Sequence, residues 1–217
     1  MILFAHTPKC GGKSFRESLK KVYGERLLLD YANPLNRTVK NRLSQIRAYY
    51  RVKSTLHQFD IVYGHFSFAR YRTMSNGSNA QFGMFFREPI ALISSYYYYI
   101  VEKYPERPAP PIKEFVEQKK HVQFYRAFLG HLSADQLHFV GIFEEYGKSL
   151  RLYEAMFGQK LDEHHINKTQ SKPRNYHDEL KKNGNFTAVN QAMHQNQIIY
   201  DTAVARFEAL CAKYGVA

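Results

Sequence analysis

An apolar segment at residues 2–5 runs straight into a glycine-bearing turn and then into a helical pattern. The turn reads His6-Thr7-Pro8-Lys9-Cys10-Gly11-Gly12-Lys13-Ser14-Phe15. A short strand that enters a helix through such a turn aims several backbone N–H groups, and the positive end of the helix dipole, at one point. The order of these elements therefore predicts a strand, loop and helix unit that binds a phosphate.

The rest of the chain alternates between short apolar runs and amphipathic stretches. The predicted strands cover residues 2–5, 27–29, 60–65, 82–86 and 138–143. The predicted helices cover residues 13–23, 38–56, 90–103, 112–118, 123–129, 145–157 and 187–214, and residues 164–175 form a polar, basic loop. In the last helix we expect Ile198, Ala205 and Leu210 to face inward. Strands separated by helices predict an α/β fold with a central, mainly parallel sheet flanked by helices.

Length, charge and cysteine content limit the possible functions. The 217 residues fit a single domain over 1–217. No apolar run approaches the about 20 residues that cross a bilayer, so we expect no stable membrane insertion. Only Cys10 and Cys211 are present, which favours a reducing compartment such as the cytoplasm over a disulfide framework. A net charge of +12 predicts an anionic partner.

Three of the predicted strands end in chemically capable residues. The first ends in the glycine turn, the third near His65 and the fourth at Arg87. Because the carboxyl ends of parallel strands meet at one edge of a sheet, we expect these three to lie together. Cys10, at a helix start beside Lys9, is expected to have a lowered thiol pKa.

One interpretation of the turn is a nucleotide kinase. Gly12-Lys13-Ser14 matches the second half of the phosphate-loop pattern G-x-x-x-x-G-K-[ST], with Thr7 in place of its first glycine. A magnesium-dependent phosphoryl transferase also needs an acidic residue at a strand end, and Glu144 is the candidate. The fourth strand is followed by Arg87 instead.

A second alternative, a basic polyanion-binding module without catalysis, also stays open. No nucleic-acid-binding motif accompanies the basic charge, and we expect no nucleic-acid partner.

The turn also resembles the 5′-phosphosulfate loop of sulfotransferases that use 3′-phosphoadenylyl sulfate, written H-x-P-K-T-G-G-T-S-F. Cys10 and Lys13 depart from that pattern. A second run, Arg87-Glu88-Pro89-Ile90-Ala91-Leu92-Ile93-Ser94-Ser95-Tyr96-Tyr97-Tyr98, is similar to the 3′-phosphate motif R-D-P-x-x-R-x-x-S-x-Y-Y of the same enzymes. Arginine and serine stand eight apart in both, while Glu88 and Leu92 depart.

Two further segments narrow the resemblance to a group of carbohydrate enzymes. Tyr63-Gly64-His65-Phe66-Ser67-Phe68 is similar to the G-H-x-x-F segment of the uronyl 2-O-sulfotransferases of heparan and dermatan sulfate, and Val140-Gly141-Ile142-Phe143-Glu144 to their V-G-x-x-E. The matches occur in the family's order over residues 2–175. The chain thus resembles the carbohydrate 2-O-sulfotransferase-like family, which implies the sulfotransferase version of the P-loop-like fold.

The resemblance implies a donor, a product and a catalytic base. The donor is 3′-phosphoadenosine 5′-phosphosulfate, the product is adenosine 3′,5′-bisphosphate, and no metal is expected. His65 is the expected base, and Lys9 stabilises the leaving oxygen. The expected cofactor-binding residues are Pro8, Lys9, Cys10, Gly11, Gly12, Lys13, Ser14, Phe15, Arg87, Ser95, Lys168, Thr169 and Lys172.

The acceptor is expected to be a saccharide or acidic glycan. Aromatic faces near a basic groove suit sugar binding. The candidate acceptor-binding residues are Tyr97, Tyr98, Lys103 and Arg107. Animal relatives carry a membrane anchor ahead of the catalytic domain, whereas this sequence begins at its first strand, so a bacterial, cytoplasmic enzyme is expected.

Overall fold

A five-stranded parallel sheet forms the centre of the protein. The computed structural model describes residues 1–32, 34–35, 43, 46, 49–50, 53, 55–72, 80–106, 109–162 and 175–217. Over these residues the strands are β1 (Ile2–Ala5), β2 (Leu27–Leu29), β3 (Ile61–Gly64), β4 (Gln81–Phe86) and β5 (Phe139–Ile142). Their order across the sheet is β2-β3-β1-β4-β5, and each neighbouring pair is parallel. The predicted α/β class with a parallel central sheet is confirmed.

Strand β1 lies in the middle of the sheet because its side chains are apolar on both faces. All four of its residues are buried, as expected for a strand covered on both sides. Its last residue, Ala5, pairs with Gly64 of β3 on one side and with Met84 of β4 on the other. The chain segments that leave β3, β1 and β4 are therefore neighbours at the carboxyl edge of the sheet.

Helices flank the sheet and bury an aromatic core. The helices of the described residues are α1 (Gly12–Tyr23), α2 (Pro89–Lys103), α3 (Ile112–Glu117), α4 (Lys119–Val122), α5 (Phe124–Leu129), α6 (Tyr146–Phe157), α7 (Tyr176–Lys182) and α8 (Phe186–Tyr214). Phe4 of β1 packs on Phe15 of α1 with ring centroids 4.6 Å apart. This contact fixes the first helix, and with it the turn before the helix, against the central strand.

The inward face of α8 differs from the prediction. Leu210 is buried as expected, but Ile198 is 49% exposed and Ala205 is also exposed. The buried seam is Val189, Met193, Asn196, Ala203, Phe207 and Leu210, at the spacing of three, four and seven residues that one helix face requires. Ile198 and Ala205 each lie two positions beyond a seam residue, about 200° around the helix. The prediction missed the seam because polar Asn196 occupies part of it.

Two short helices, α4 and α7, were not predicted. The predicted basic helix over 38–56 and the predicted loop over 164–175 lie largely outside the described residues. In the first of these segments Leu43, Ile46 and Tyr50 are described, and all three are more than half exposed, at 53%, 52% and 68%. Among the helices that the structure describes, none has both the length and the hydropathy to cross a bilayer.

Candidate functional site

The turn between β1 and α1 has the backbone geometry of an anion-binding loop. Lys9 and Gly11 both adopt left-handed conformations, with φ of 69° and 72°, and Lys9 is the one non-glycine residue with positive φ in the described chain. Left-handed residues within a tight turn can point successive backbone N–H groups to one side, where they form a concave anion-binding nest. A left-handed non-glycine residue costs about 1 kcal/mol or more, and such strain clusters at functional sites.

The helix that follows is open at its N-terminus. Gly11 caps α1 without a side-chain hydrogen bond, and the first turn contains no acidic residue. The first helical hydrogen bond runs from the Phe15 N–H to the Gly11 carbonyl, at 3.2 Å. The N–H groups of Gly12 and Lys13 therefore have no acceptor within the helix. An anion placed here would meet these donors and the positive end of the dipole.

Neighbouring strands hold this loop from both sides. The Thr7 hydroxyl donates a hydrogen bond to the Phe85 carbonyl of β4 at 3.1 Å. The Tyr63 hydroxyl, on β3, donates to the Gly12 carbonyl at 2.8 Å. Phe15 is fully buried. The loop is thus attached to both strands that flank β1.

Cys10 is buried within the loop, with its thiol 3.8 Å from the Pro8 carbonyl. Burial raises the pKa of the Cys10 thiol, so the expectation of a lowered pKa is wrong. The helix N-terminus does not offset the loss of hydration, because the side chain faces the protein interior. Cys10 contributes backbone to the loop, and its sulfur stays protonated.

Arg87 directly follows β4 and contacts the loop between β1 and α1. Its guanidinium Nη1 donates a hydrogen bond to the Lys9 carbonyl at 2.9 Å. Its Cζ atom lies over the ring of Phe143, 4.5 Å from the ring centroid. The backbone of Arg87 is hydrogen-bonded to the Tyr125 hydroxyl. Arg87 therefore stabilises the strained Lys9 backbone and places a cation next to the loop.

The Lys9 ammonium lies over the ring of Tyr99, 4.7 Å from its centroid. Partial burial lowers the pKa of Lys9, and the nearby positive charge of Arg87 lowers it further. Two cations held this close together repel each other. A bound anion between them would relieve that repulsion.

His65 follows β3 and lies beside the loop. Its Nδ1 is 2.7 Å from the His6 carbonyl oxygen. Because a carbonyl can only accept, Nδ1 carries the proton and Nε2 of the neutral ring has the free lone pair. Burial lowers the pKa of His65 below its usual 6.5, and the hydrogen bond to His6 only partly offsets this. The residue is therefore a neutral base with a defined tautomer at pH 7.

Two residues that the sequence analysis missed complete this side of the site. Tyr31 follows β2, and its ring packs edge-to-face with the ring of His65 with centroids 5.3 Å apart, while the residue remains 45% exposed. Arg16, one turn into α1, donates from Nη1 to the Tyr31 hydroxyl at 3.2 Å. The positive charge of Arg16 also lowers the pKa of His65. Since β2 neighbours β3, its carboxyl end lies at the same edge as His65, and that adjacency is the signal by which Tyr31 could have been found.

The start of α2 is closed, in contrast to α1. The carboxylate of Glu88 accepts the N–H groups of Ile90 and Ala91 at 3.0 and 2.7 Å, and Pro89 occupies the first turn. Ser95 lies further along α2 and is only 8% exposed. The structure thus has Arg87 at the strand end and Ser95 on the following helix, and the joint binding of one phosphate by this pair stays a prediction.

The candidate acceptor-binding tyrosines lie along the same helix. Tyr97 packs edge-on against Phe115 with ring centroids 5.2 Å apart, and the Tyr98 hydroxyl bonds to Glu179 of α7. Tyr99, which was not a candidate, is the tyrosine that contacts Lys9. Lys103 donates to the Tyr99 hydroxyl at 2.7 Å. The structure therefore brings Lys103, through Tyr99, to the edge of the phosphate loop.

The other predicted residues divide into two groups. Pro8 and Ser14 are partly exposed on the loop, and Lys13 is exposed in the first turn of α1. The remaining four candidates lie outside the described residues: Arg107, Lys168, Thr169 and Lys172.

Comparisons with known proteins find similarity in structure but not in sequence. No family model matches the chain, and no curated protein matches it in sequence. Among solved structures, a sulfotransferase from Alicyclobacillus acidocaldarius is similar to 90% of this chain over 94% of its own, with 16% sequence identity and a TM-score of 0.47.

Proposed function

We propose that this protein is a sulfotransferase that moves the sulfuryl group of 3′-phosphoadenosine 5′-phosphosulfate to a hydroxyl of a saccharide. One observation carries the proposal. An open helix N-terminus, a lysine in a strained loop and a neutral histidine with a free Nε2 lie on adjacent strand ends. Sulfuryl transfer needs an anion cradle, a cation at the leaving oxygen and a base.

The donor would be bound at both of its phosphates. The 5′-phosphate fits the N–H groups at the start of α1, which have no acceptor within the helix. The 3′-phosphate fits the guanidinium of Arg87, which retains donors beyond the one given to Lys9. Ser95 is proposed as its second ligand. Lys168, Thr169 and Lys172 are proposed to contact the same nucleotide from the later basic segment.

The transfer itself is an in-line substitution at sulfur. The acceptor hydroxyl gives its proton to Nε2 of His65 as its oxygen forms a bond to sulfur. The bond between sulfur and the bridging phosphate oxygen breaks, and its electron pair stays on adenosine 3′,5′-bisphosphate. The Lys9 ammonium leaves the ring of Tyr99, where it now lies, and stabilises the developing charge on that oxygen.

We propose that the acceptor side is formed by exposed rings and cations beside His65 and beside Tyr99. Tyr31 offers a partly exposed aromatic face, and Arg16 offers a guanidinium beside it. Lys103 adds a further cation, exposed beside Tyr99. An acidic glycan fits these cations and the net charge of +12. Tyr97 and Tyr98 remain proposed contacts of the acceptor.

The proposed site of action is the cytoplasm. Both cysteines are free thiols, which supports a reducing compartment of this kind.

The kinase alternative is weaker because its acidic residue is already engaged. The carboxylate of Glu144 accepts the Glu88 N–H at 3.0 Å and the Tyr200 hydroxyl at 3.1 Å. A carboxylate with both oxygens bound in this way is poorly placed to hold a magnesium ion. A polyanion-binding module is the second alternative, and it gives no role to the neutral His65.

Isothermal titration separates these functions. The protein should bind adenosine 3′,5′-bisphosphate without a metal, and at least about tenfold more tightly than Mg-ATP, a difference of about 1.4 kcal/mol. Preference for Mg-ATP would favour the kinase. Affinity for heparin with no nucleotide binding would favour the polyanion-binding module.

The base is tested by pH and by substitution. Because burial lowers the pKa of His65, the neutral form persists below pH 6.5. Sulfate transfer, measured as kcat/KM with labelled donor, should fall with decreasing pH only as the pH passes through a pKa below 6.5. Both His65→Ala and His65→Gln should lower kcat by about 10²-fold or more. Near wild-type turnover in both variants would remove His65 as the base.

A further inference from the structure

The ring of His6 lies between the base and the phosphate loop. It stacks on the ring of His65 with centroids 4.5 Å apart and an interplanar angle of 24°. On another side it lies against the backbone of Gly12, where a Cβ atom would be 1.7 Å from the His6 Nε2. Only glycine at position 12 leaves room for this ring. His6 therefore contacts both the base and the first residue of the helix proposed to bind the 5′-phosphate.

Tyr63 completes a closed set of contacts around His6. Its ring stacks on His6 at 5.5 Å with an interplanar angle of 14°, and its hydroxyl holds the Gly12 carbonyl. The backbone of His6 takes part as well, since its carbonyl accepts the Nδ1 proton of His65. His6 thus positions the base twice, through its backbone and through its ring.

The His6 side chain is not explained by hydrogen bonding. Its Nε2 is enclosed and has no hydrogen-bond partner among the described residues. An enclosed polar atom without a partner destabilises a fold, so packing alone would favour an apolar side chain. Burial also lowers the pKa of His6 well below 6.5, and the ring is neutral at pH 7. The His6 ring therefore acts on His65 through packing, which orients the His65 ring, and not through a charge.

We propose that His6 is a positioning residue that couples occupancy of the phosphate loop to the orientation of the base His65. This inference rests on the proposed sulfotransferase function. A phosphate that binds the N–H groups of Gly12 and Lys13 draws the first turn of α1 toward it. Because Gly12 has no side chain and the contacts are close-packed, the displacement reaches the His6 ring directly and passes to the stacked His65 ring. The base is then aligned when the donor is present.

Nitrogen-15 NMR of the histidine rings tests this coupling with adenosine 3′,5′-bisphosphate as the probe. The signals of His65 and His6 are assigned by their loss in His65→Gln and His6→Ala. In the wild-type protein the nucleotide should shift the Nδ1 and Nε2 signals of His65. His138 precedes β5 at the opposite edge of the sheet, so its signals should stay in place and serve as an internal control.

The decisive comparison is His6→Ala, which removes the ring and keeps the backbone carbonyl. It should bind the nucleotide with a Kd within about threefold of wild type, a difference below about 0.7 kcal/mol, and the nucleotide-induced shift of His65 should be lost. If His6→Ala does not fold, Tyr63→Phe takes its place, because it removes only the hydrogen bond to Gly12 and should reduce the shift.

Three outcomes are distinguishable. Nucleotide binding with unmoved His65 signals in the wild type overturns the coupling but leaves the proposed function standing. An equal His65 shift in the wild type and in the variant also overturns the coupling. Failure of the wild-type protein to bind the nucleotide overturns the proposed function, and the coupling with it.

Discussion

Two strand-to-helix junctions lie side by side at the carboxyl edge of the sheet, one after β1 and one after β4. Both place a basic residue near the strand end, Lys9 in one and Arg87 in the other. They differ in the first turn of the helix. The N–H groups that open α1 have no side-chain cap, whereas those that open α2 are bound by the carboxylate of Glu88.

Under the proposed function, this difference predicts separate tasks for the two junctions. At α1 the backbone itself carries no cap, and the basic residues Lys9, Lys13 and Arg16 lie in the loop or in the first turns of the helix. At α2 the negative charge of Glu88 already occupies the helix N-terminus, so an anion there can be bound only by the side chain of Arg87 and by residues further along the helix. A nucleotide with two phosphates would therefore be held by backbone at one and by side chains at the other.

The largest expected effect comes from Lys9, the cation in the loop between β1 and α1. Lys9→Met should lower kcat for sulfate transfer by about 10²- to 10³-fold, the loss typical for removal of one group that stabilises developing charge. Lys20→Met is the matched control, because Lys20 lies exposed near the far end of α1 and pairs with Glu17 at 3.2 Å. Its kcat should match the wild type in the labelled-donor assay.

Lys13→Met adds a test between the two enzyme hypotheses. Lys13 is exposed in the first turn of α1, where a phosphate-loop kinase would place its phosphate-binding lysine. A sulfotransferase loses more activity from Lys9→Met than from Lys13→Met. The reverse order would transfer the role of the leaving-group cation to Lys13.

A smaller effect is expected from Gly11→Ala. With φ at 72°, an alanine there is strained, and its Cβ would lie 3.1 Å from the Tyr146 ring. The substitution should cost about 1–2 kcal/mol of the free energy of unfolding and weaken binding of adenosine 3′,5′-bisphosphate by about tenfold or more. Thermal unfolding and titration measure the two effects.

Gly158→Ala separates strain from binding. Gly158 ends α6 with φ at 68°, and nothing lies within 4 Å of where its Cβ would be. It should lose a similar part of the stability and none of the nucleotide affinity. If both variants lose affinity equally, the effect of Gly11→Ala reflects general destabilisation and the loop geometry is not specific for the phosphate.

Much of the sheet and part of the site could be predicted from local pattern. The apolar run of β1 and the glycine turn after it predict a strand and an anion loop, because both depend on neighbours in sequence. Pro89 marks the start of α2 for the same reason. Parallel topology then brings His65 and Arg87 to the loop without further information.

The features that were missed depend on contacts between distant segments. Nothing local links Arg16 to Tyr31 or the ring of Tyr99 to Lys9, since each pair joins different elements. The pKa of Cys10 was predicted in the wrong direction because burial, which the sequence does not reveal, outweighs the effect of the helix start. Asn196 belongs to the buried seam of α8 although it is polar, because its side chain accepts the Tyr125 N–H at 3.1 Å and donates to the Val122 carbonyl at 3.0 Å.

The smallest expected effect comes from Glu88, which caps α2 at the junction between β4 and α2. Glu88→Ala removes the cap of α2 and should lower the free energy of unfolding by about 1 kcal/mol, as for other N-cap losses. Its contact with His177, at 3.2 Å, is lost as well. Glu88→Asp keeps a carboxylate that can accept the same N–H groups and should recover most of the stability. Because the cap only occupies the helix end, Glu88→Ala should not weaken binding of adenosine 3′,5′-bisphosphate in titration, and removal of its negative charge beside Arg87 should, if anything, strengthen it. A loss of about tenfold in affinity would mean that Glu88 organises the 3′-phosphate site, and the two junctions would then not differ in the way their caps indicate.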